Sequence, residues 1–305
     1  MLNQSLDRAL NVIGDNWAWL IIKEAFLGTV RFQDFQKNLN IPRQTLINRL
    51  QQMTEAALFY KAPVYNRRLL FEYRLTAKGL DLYQVSLCIW RFHRDWHPNP
   101  SILPEELMHK TCGQSFLPEF VCTSCHVTPT IGSMEFMQRH QERAIKAPVS
   151  TRRRSRIANA VESLGEVYFV TVVLGDAWNV LLLDAAARNI FRFHDLVVHL
   201  GISSNVLTTR LKPLVKLGLL EQTIDEDDKR VKKYSMTDKG KETYPIILSL
   251  TAWGDRWLMG NEGPSEVFAH QPCNTYASYQ VRCNFCAQPL HVNDVVAGSL
   301  KAAEP

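Results

Sequence analysis

Apolar positions near the start of the chain recur at helical spacing. Residues 5–12 and 17–26 carry Leu, Ala, Ile and Trp three or four positions apart, which predicts two amphipathic helices. Phe32, Phe35 and Leu39 predict a short third helix, and Leu46, Leu50 and Met53 predict a longer fourth helix after it. The chain therefore opens with four predicted helices, each of which has an apolar face.

The pattern then changes from helical spacing to alternation. Residues 58–65 and 69–75 alternate apolar and polar side chains around a basic tip at 66–68, which predicts a β-hairpin. A return to helical spacing predicts one long closing helix that starts at Thr76 and runs to Trp96. A short helix, a turn, a longer polar helix and a hairpin together predict a winged helix-turn-helix.

In this arrangement the fourth predicted helix is the recognition helix and the hairpin is the wing. Side chains near the start of a recognition helix enter the major groove, and a basic hairpin tip meets phosphates or the minor groove. The candidate DNA-contacting residues of this half are Arg43, Gln44, Thr45, Asn48, Arg67 and Arg68.

The whole pattern occurs a second time, 161 residues later. Gly14-Asp15 corresponds to Gly175-Asp176, and Arg49-Leu50 corresponds to Arg210-Leu211. The step is the same at every matching position, which implies a duplicated domain without net insertion in either copy.

The repeat predicts five segments. Winged helix-turn-helix domains occupy 1–100 and 162–260, cysteine-containing extensions occupy 101–140 and 261–305, and a basic linker occupies 141–161. The linker contains Arg152-Arg153-Arg154 after Pro148. A solvated charged segment and a DNA-contacting arm are both consistent with it. The predicted fold class is mainly α with small β, with a small zinc-ribbon-like hairpin after each winged helix.

The second copy has its own candidate DNA contacts. Its wing carries four carboxylates at 225–228, which would repel phosphates, so we expect the neighbouring cations to anchor it. For Arg49 and Arg210, which each precede a core leucine, we favour an internal ion pair or a phosphate contact over base reading. The candidates in this half are Ser203, Ser204, Asn205, Thr208, Lys229, Arg230, Lys232 and Lys233.

Six of the seven cysteines lie in the extensions with metal-ligand spacing. A His-x-x-Cys pair is separated by nine residues from a Cys-x-x-Cys pair, and both copies share this arrangement. Two close pairs separated by a short loop are typical of a tetrahedral zinc site, and a site filled by four protein ligands is structural. We therefore expect one structural Zn²⁺ per copy, the first held by His109, Cys112, Cys122 and Cys125 and the second by His270, Cys273, Cys283 and Cys286.

Two alternatives bear on these ligands. Disulfides are disfavoured because residues 1–15 do not have the apolar core of a signal peptide, so we expect a reducing environment. His126 competes with His109 for the fourth ligand position, but its counterpart in the second copy is Ala287, whereas His109 matches His270.

Composition adds little to this interpretation. The net charge of +5 and pI near 8.8 permit a nucleic-acid partner without requiring one. No apolar run approaches the roughly 18 residues of a membrane span. We find no nucleophile-base arrangement, no glycine-rich phosphate loop and no metal site with an open position, so we expect no enzymatic activity.

The sequence resembles the HxlR-type branch of winged-helix transcriptional regulators. The resemblance is carried by Ile13-Gly14-Asp15 with Trp17, by Arg31-Phe32-Gln33-Asp34-Phe35, and by Tyr73-Arg74-Leu75-Thr76-Ala77-Lys78-Gly79, with parallels in the second copy. It implies a cytoplasmic DNA-binding regulator that acts as a two-fold dimer paired through its first and last helices.

The duplication and the resemblance together predict a function. We expect a sequence-specific, double-stranded DNA-binding regulator, with repression as the expected mode. The two copies would pack as an intramolecular pseudo-dimer, with recognition helices roughly 34 Å apart on an imperfect palindrome. A homodimer of chains is the competing assembly. A winged-helix and zinc-ribbon module that binds proteins of the transcription machinery is the alternative function.

Two departures from the family pattern have consequences. Some family members sense oxidants with a cysteine before the first helix, but the corresponding positions here hold Gln4 and Gly165, which disfavours such sensing. Ala57 stands where the second copy has Gly218, and an alanine would cost roughly 1 kcal/mol if that turn is left-handed.

Overall fold

The computed structural model describes residues 3–64, 70–96, 103–139, 173–264 and 266–298. The tip of the first wing, with Arg67 and Arg68, and the predicted basic linker lie outside these ranges, and so does Gly165. Throughout the described ranges, the second copy reproduces the element order of the first.

The first copy begins with four helices, α1 (Gln4–Ile13), α2 (Asn16–Phe26), α3 (Phe32–Leu39) and α4 (Arg43–Glu55). Asp15 caps α2 by accepting hydrogen bonds from the backbone N–H groups of Trp17 and Ala18. The predicted apolar face is buried, with Leu46 and Leu50 of α4 fully inaccessible to solvent. The predicted four-helix start is confirmed.

The predicted wing is also confirmed. Strands β1 (Phe59–Pro63) and β2 (Phe71–Leu75) form an antiparallel hairpin with Phe59 opposite Leu75.

The closing helix differs from the prediction because it is divided in two. A single turn, α5 (Ala77–Leu80), precedes α6 (Tyr83–Trp96). Thr76 caps α5, and a Cβ on Gly79 would come within 2.3 Å of the Leu58 carbonyl oxygen. The hairpin therefore fixes the position of this turn, and α6 starts afresh after it.

The second copy contains α7 (Ala177–Ala187), α8 (Phe193–Leu200), α9 (Ser204–Lys216), β7 (Leu220–Ile224), β8 (Lys232–Met236), α10 (Asp238–Lys241) and α11 (Tyr244–Leu258). Its recognition helix α9 begins and ends 161 residues after α4. The wing strands β7 and β8 pair as β1 and β2 do.

The extensions are built from short strands. The first has β3 (Leu107–His109), β4 (Gln114–Phe116), β5 (Pro118–Cys122) and β6 (Met134–Arg139), and the second has β9 (Glu266–His270), β10 (Thr275–Tyr276), β11 (Tyr279–Cys283) and β12 (Val295–Ala297). A 3₁₀ turn precedes the last strand of each, at Ile131–Ser133 and Val292–Asp294.

Strand pairing in the extensions crosses between the copies. The last strand of the first extension, β6, pairs with β9, and the last strand of the second, β12, pairs with β3. The middle strands β5 and β11 pair with each other, with Cys122 opposite Tyr279 and Pro118 opposite Cys283. The two extensions are thus interlocked, while each also contains a short hairpin of its own, β3–β4 in the first and β9–β10 in the second.

The copies also meet through helices. Helix α1 lies against α11, where Arg8 donates to the Leu258 carbonyl at 2.9 Å and Ser5 donates to Asp255. Gly254 permits this approach, since a Cβ there would lie 2.2 Å from the Ser5 carbonyl oxygen. The first helix of one copy therefore docks on the last helix of the other, as the resemblance implied.

Further contacts link α11 to α5 and α6 of the first copy. Trp253 donates to the Lys78 carbonyl at 3.0 Å, and Trp257 donates to Asp81 at 2.8 Å. Arg256 adds an ion pair to Asp81 at 2.7 Å. Trp253 and Trp257 therefore pack between the copies.

Corresponding residues of the two copies also meet each other directly. Asp15 and Asp176, which occupy the same position in the repeat, form an isolated antiparallel bridge. Contacts of this kind occur where a two-fold axis relates two identical surfaces. The two copies are therefore arranged as a pseudo-dimer.

None of the helices in the described ranges combines the length and the apolar character required to cross a membrane.

Candidate DNA interface and metal centres

The outer face of α4 carries the candidates predicted for base contact. Arg43, Gln44 and Asn48 are exposed and Thr45 is half-buried. The Gln44 side chain donates to Asn48 at 3.0 Å, and the Arg43 guanidinium lies 5.6 Å from the centre of the Phe32 ring. These interactions hold the polar side chains together on one exposed face.

The corresponding face of α9 is equally exposed. Ser203 caps the helix, because its side chain accepts a hydrogen bond from the backbone N–H of Val206. Ser204 and Asn205 are exposed, and Thr208 donates its hydroxyl to the Ser204 carbonyl at 2.8 Å. Gln44 and Asn205 occupy equivalent positions, so each copy presents one carboxamide side chain in the first turn of its recognition helix.

Arg49 and Arg210 each connect a recognition helix to the neighbouring core helix. Arg49 pairs with Asp15 at 3.2 Å, and Arg210 pairs with Asp176 at 2.7 Å. Burial raises the pKa of both carboxyl groups, and the facing arginine opposes that rise. The internal ion pair predicted for these arginines is confirmed.

One of the four carboxylates predicted to repel phosphates at the second wing is buried. Asp225 does not face solvent at the tip; its side chain is only 1% exposed and pairs with Arg192 and Lys233, each at 3.0 Å. The hydrogen bond from Lys233, with help from the Asp227 backbone N–H and Arg192, lowers the pKa of Asp225 to about 2. Lys233 is therefore engaged inside the wing and does not serve as a free anchor.

Three cations of this wing remain on its surface. Lys229, Arg230 and Lys232 are exposed. Arg230 pairs with the neighbouring Asp228 at 3.1 Å. The basic surface available to phosphates is thus smaller than the sequence suggests.

The extensions bring all eight predicted ligands into two clusters. Cluster A contains His109, Cys112, Cys283 and Cys286, and cluster B contains Cys122, Cys125, His270 and Cys273. Within each cluster the ligand atoms lie within 4.8 Å of one another.

The grouping of these ligands differs from the prediction. Each cluster takes its His-x-x-Cys pair from one copy and its Cys-x-x-Cys pair from the other. The predicted sets within one copy are therefore wrong, although every predicted ligand lies in one of the two clusters. The cause is the pairing of β5 with β11, which carries each Cys-x-x-Cys pair across to the other copy.

Distances within the clusters fit a tetrahedral ion. In cluster A, Cys112 Sγ is 3.9 Å from Cys283 Sγ, and Cys286 Sγ is 3.3 Å from His109 Nδ1. In cluster B, Cys122 Sγ is 3.9 Å from Cys273 Sγ, and Cys125 Sγ is 3.2 Å from His270 Nδ1. Zinc bonds of about 2.3 Å to sulfur and 2.0 Å to nitrogen give tetrahedral edges of about 3.8 and 3.5 Å.

The sulfur distances also distinguish metal ligation from disulfides. A disulfide requires about 2.05 Å between sulfurs, and the described cysteines are all free. The seventh cysteine, Cys88, is buried in the core, and burial raises its pKa to about 12. It is therefore a poor nucleophile near neutral pH.

Each ligand pair lies in the same type of backbone turn. The residue after the second ligand has a positive φ, namely Gly113, His126, Asn274 and Ala287. Its backbone N–H donates to the carbonyl oxygen of the first ligand at 2.8 to 2.9 Å in all four turns. His126 is thus an exposed turn residue, which agrees with the choice of His109 as the ligand.

Comparison with known proteins identifies the class. The family described as HxlR-like helix-turn-helix matches residues 12–100 and 173–262, together more than half of the chain. The protein belongs to this family, as a tandem duplication of its winged helix.

Relatives of the family agree with this assignment. An uncharacterised HTH-type transcriptional regulator of Mycobacterium tuberculosis is 38% identical over 136 residues, which are 42% of this chain and 86% of that protein. YvaP, an uncharacterised HTH-type transcriptional regulator of Bacillus subtilis, is 32% identical over 88 residues, 28% of this chain and 81% of that protein. In both cases less than half of this chain aligns with most of the relative's length.

Solved structures with local similarity include PA1607, a candidate transcription factor, at 34% identity over 35% of this chain and 75% of that chain, with a TM-score of 0.33. Overoxidized AbfR bound to DNA is 25% identical over 30% of this chain and 71% of that chain, with a TM-score of 0.24.

Proposed function

We propose that this DNA-binding transcriptional regulator recognises an imperfect palindrome as a single chain, with one copy on each half-site. The observation that carries the proposal is the pseudo-two-fold arrangement of two winged helices whose polar recognition faces differ in sequence. Asp15 meets Asp176 at the pseudo-axis, so each recognition helix has the same internal support.

The contacts divide into two classes. The cations of the wings, including Lys229 and Lys232, would bind phosphates and position the protein without reading sequence. Gln44 and Asn205 are suited to read adenine, since carboxamides pair with its N6 and N7 in the major groove. Because their neighbours on the two helices differ, the two half-sites should differ as well. Repression by occlusion of a promoter is the expected mode.

The experiment is selection of bound sequences from a random DNA pool, followed by gel-shift titration at two salt concentrations. We expect an imperfect palindrome whose binding weakens steeply with salt. Selection of a perfect palindrome would favour a homodimer of chains, and absence of any selected sequence would favour the protein-interaction alternative.

A matched pair of variants assigns each half-site to a copy. Gln44→Ala should relax selection in one half-site and Asn205→Ala in the other, each costing about 1–3 kcal/mol at one base pair. If both variants relax the same half-site, or neither changes it, the assignment of one copy to each half-site is wrong.

We also propose that clusters A and B each hold one structural Zn²⁺. The donor set of three thiolates and one imidazole is typical of structural zinc, and a closed shell has no position for substrate or activated water. When bound, each ion would join the two copies, because its ligands come from both. The chain itself supplies the four backbone turns that orient the ligand pairs.

Double variants test the grouping of the ligands by native mass spectrometry. We expect two ions in the wild type, one ion in Cys112→Ser/Cys286→Ser and none in Cys112→Ser/Cys122→Ser, because only the first pair belongs to one cluster. Ligand sets confined to one copy would give the reverse, no ion in the first variant and one in the second. A wild-type chain without metal would contradict the zinc proposal itself.

A further inference from the structure

A cavity of about 140 Å³ lies between the first winged helix and the interlocked extensions. Its walls include Trp19 and Phe26 from α2, Tyr83 and Trp90 from α6, Leu107 from β3, and Val295 from β12. Both copies therefore contribute to it.

Most polar groups of this wall are engaged elsewhere, whereas the buried indole N–H of Trp19 has no hydrogen-bond partner among the described residues. Trp90 donates its indole N–H to the Pro104 carbonyl at 2.8 Å, and Ser86 donates to the Leu82 carbonyl at 3.2 Å. Lys23 pairs with Glu24 at 3.1 Å. What faces the cavity is chiefly apolar and aromatic surface, with the Phe26 and Tyr83 rings in edge-to-face contact at 5.1 Å.

The equivalent place in the second copy is different in size and chemistry. That cavity is about 1160 Å³, and Arg188 there is paired with Asp184 and Glu266. Phe26 corresponds to Ala187, and Trp90 corresponds to Thr251. The duplicated fold therefore does not require aromatic side chains at these positions, and their presence in the first copy needs another explanation.

The size of the first cavity points to the kind of occupant. The pocket is partly open to solvent and its walls are chiefly apolar, so a ligand that fills it would remove apolar surface from water. An engineered apolar cavity of about 150 Å³ stays dry and binds benzene. We propose that the cavity of the first copy is a binding site for an uncharged single-ring aromatic molecule, held by the aromatic side chains of α2 and α6 and bordered by β3 and β12.

The test uses the full metal-bound chain with toluene, phenol and benzoate as probes. Tryptophan fluorescence and calorimetric titration should show saturable binding of toluene and phenol at one molecule per chain, because Trp19 and Trp90 line the site. Benzoate should bind at least tenfold more weakly, since its charge would lose its hydration in an apolar cavity. Tighter binding of benzoate than phenol would overturn the assignment to uncharged ligands.

Two variants fill the cavity from opposite walls. Ser86→Phe, from α6, and Ala297→Trp, from β12, should each weaken toluene binding at least tenfold. The control Ile247→Phe changes the position equivalent to Ser86 in the second copy and should leave affinity unchanged. Circular dichroism establishes that each variant is folded.

No saturable binding by the wild type, or unchanged affinity in whichever filled variant folds, would overturn the proposal. Because DNA binding is measured separately, failure here leaves the proposed DNA-binding function untouched.

Discussion

At one turn the two copies share the same backbone conformation but have different residues. Ala57 has φ of 57° and Gly218 has φ of 68°, both in the left-handed region. An added Cβ at Gly218 would meet no atom within 4 Å, so only backbone strain separates the two residues there. From the sequence we expect Ala57 to be strained if this turn is left-handed, and the turn is left-handed.

Exchange of these two residues should change stability in opposite directions. Ala57→Gly should raise the free energy of unfolding by up to about 1 kcal/mol, and Gly218→Ala should lower it by about 1 kcal/mol. Urea unfolding of the metal-bound chain measures both. A loss of stability in Ala57→Gly would show that the entropy of the unfolded glycine outweighs the relief of strain.

A buried carboxyl on α1 makes stability depend on pH. Asp7 is 6% exposed, and burial raises its pKa to about 6, against the smaller opposing effects of Asn11 and Arg8. A folded pKa above the unfolded value of about 3.9 means that ionisation opposes folding. This penalty is absent below about pH 4, grows as pH rises through the folded pKa, and is complete above it.

Asp7→Asn should therefore stabilise the protein by about 1–2 kcal/mol at pH 8 and have little effect at pH 4. Thermal unfolding of the two proteins across this pH range measures the difference. A constant difference at all pH values would mean that packing, and not ionisation, is the cause.

At the scale of elements, the docking of α1 on α11 depends on one small residue. Gly254→Ala would place a Cβ 2.2 Å from the Ser5 carbonyl oxygen and push the helices apart. We expect the free energy of unfolding to fall by about 1–3 kcal/mol, which is typical of overpacking. Gly132→Ala, where an added Cβ meets nothing within 4 Å, is the matched control. Equal unfolding midpoints for the two variants would show that this contact is not tight.

Most elements of the winged helices could be predicted from sequence because their signals are local. The helical spacing of Leu46, Leu50 and Met53 and the alternation in the hairpin depend on one face being buried, whatever it is buried against. The break between α5 and α6 was missed because Gly79 is fixed by the distant Leu58 carbonyl. The inward turn of Asp225 was missed because its partner Arg192 lies on another element.

The grouping of the metal ligands could not be predicted from sequence either, and the reason is different. The His-x-x-Cys and Cys-x-x-Cys pairs have the same spacing in both copies, so a tetrahedron closes equally well within a copy or between copies. The choice is made by β5 and β11, whose pairing is a tertiary contact without a local signal. The exposed faces of α4 and α9, in contrast, followed directly from the apolar pattern.

At the scale of the molecule, exchange of ligands makes the two copies one unit. Clusters A and B, the β5–β11 pair and the α1–α11 contact all join residues of different copies. If both clusters hold metal as proposed, the metal binding free energy contributes to the association of the copies as well as to the folding of each extension. We therefore expect the copies to stay associated without an intact linker when both clusters hold metal.

Cleavage of the chain within 141–161 separates the contribution of the linker to association of the copies from the contribution of the metals. With a protease site inserted there, we expect the cut halves to stay together during gel filtration at dilute concentration while metal is bound, and to dissociate more readily after removal of metal by a chelator under reducing conditions. The uncut chain treated with the same chelator is the control, because its linker keeps the copies together.

The two possible ligand groupings give different results in this experiment. If each ion were held within one copy, chelation would weaken each half separately and would not preferentially release one half from the other. Metal-dependent release in both the wild type and Cys112→Ser/Cys286→Ser would show that cluster B is sufficient to join the copies. Equal association of the cut halves with and without metal would mean that strand exchange and the α1–α11 contact suffice.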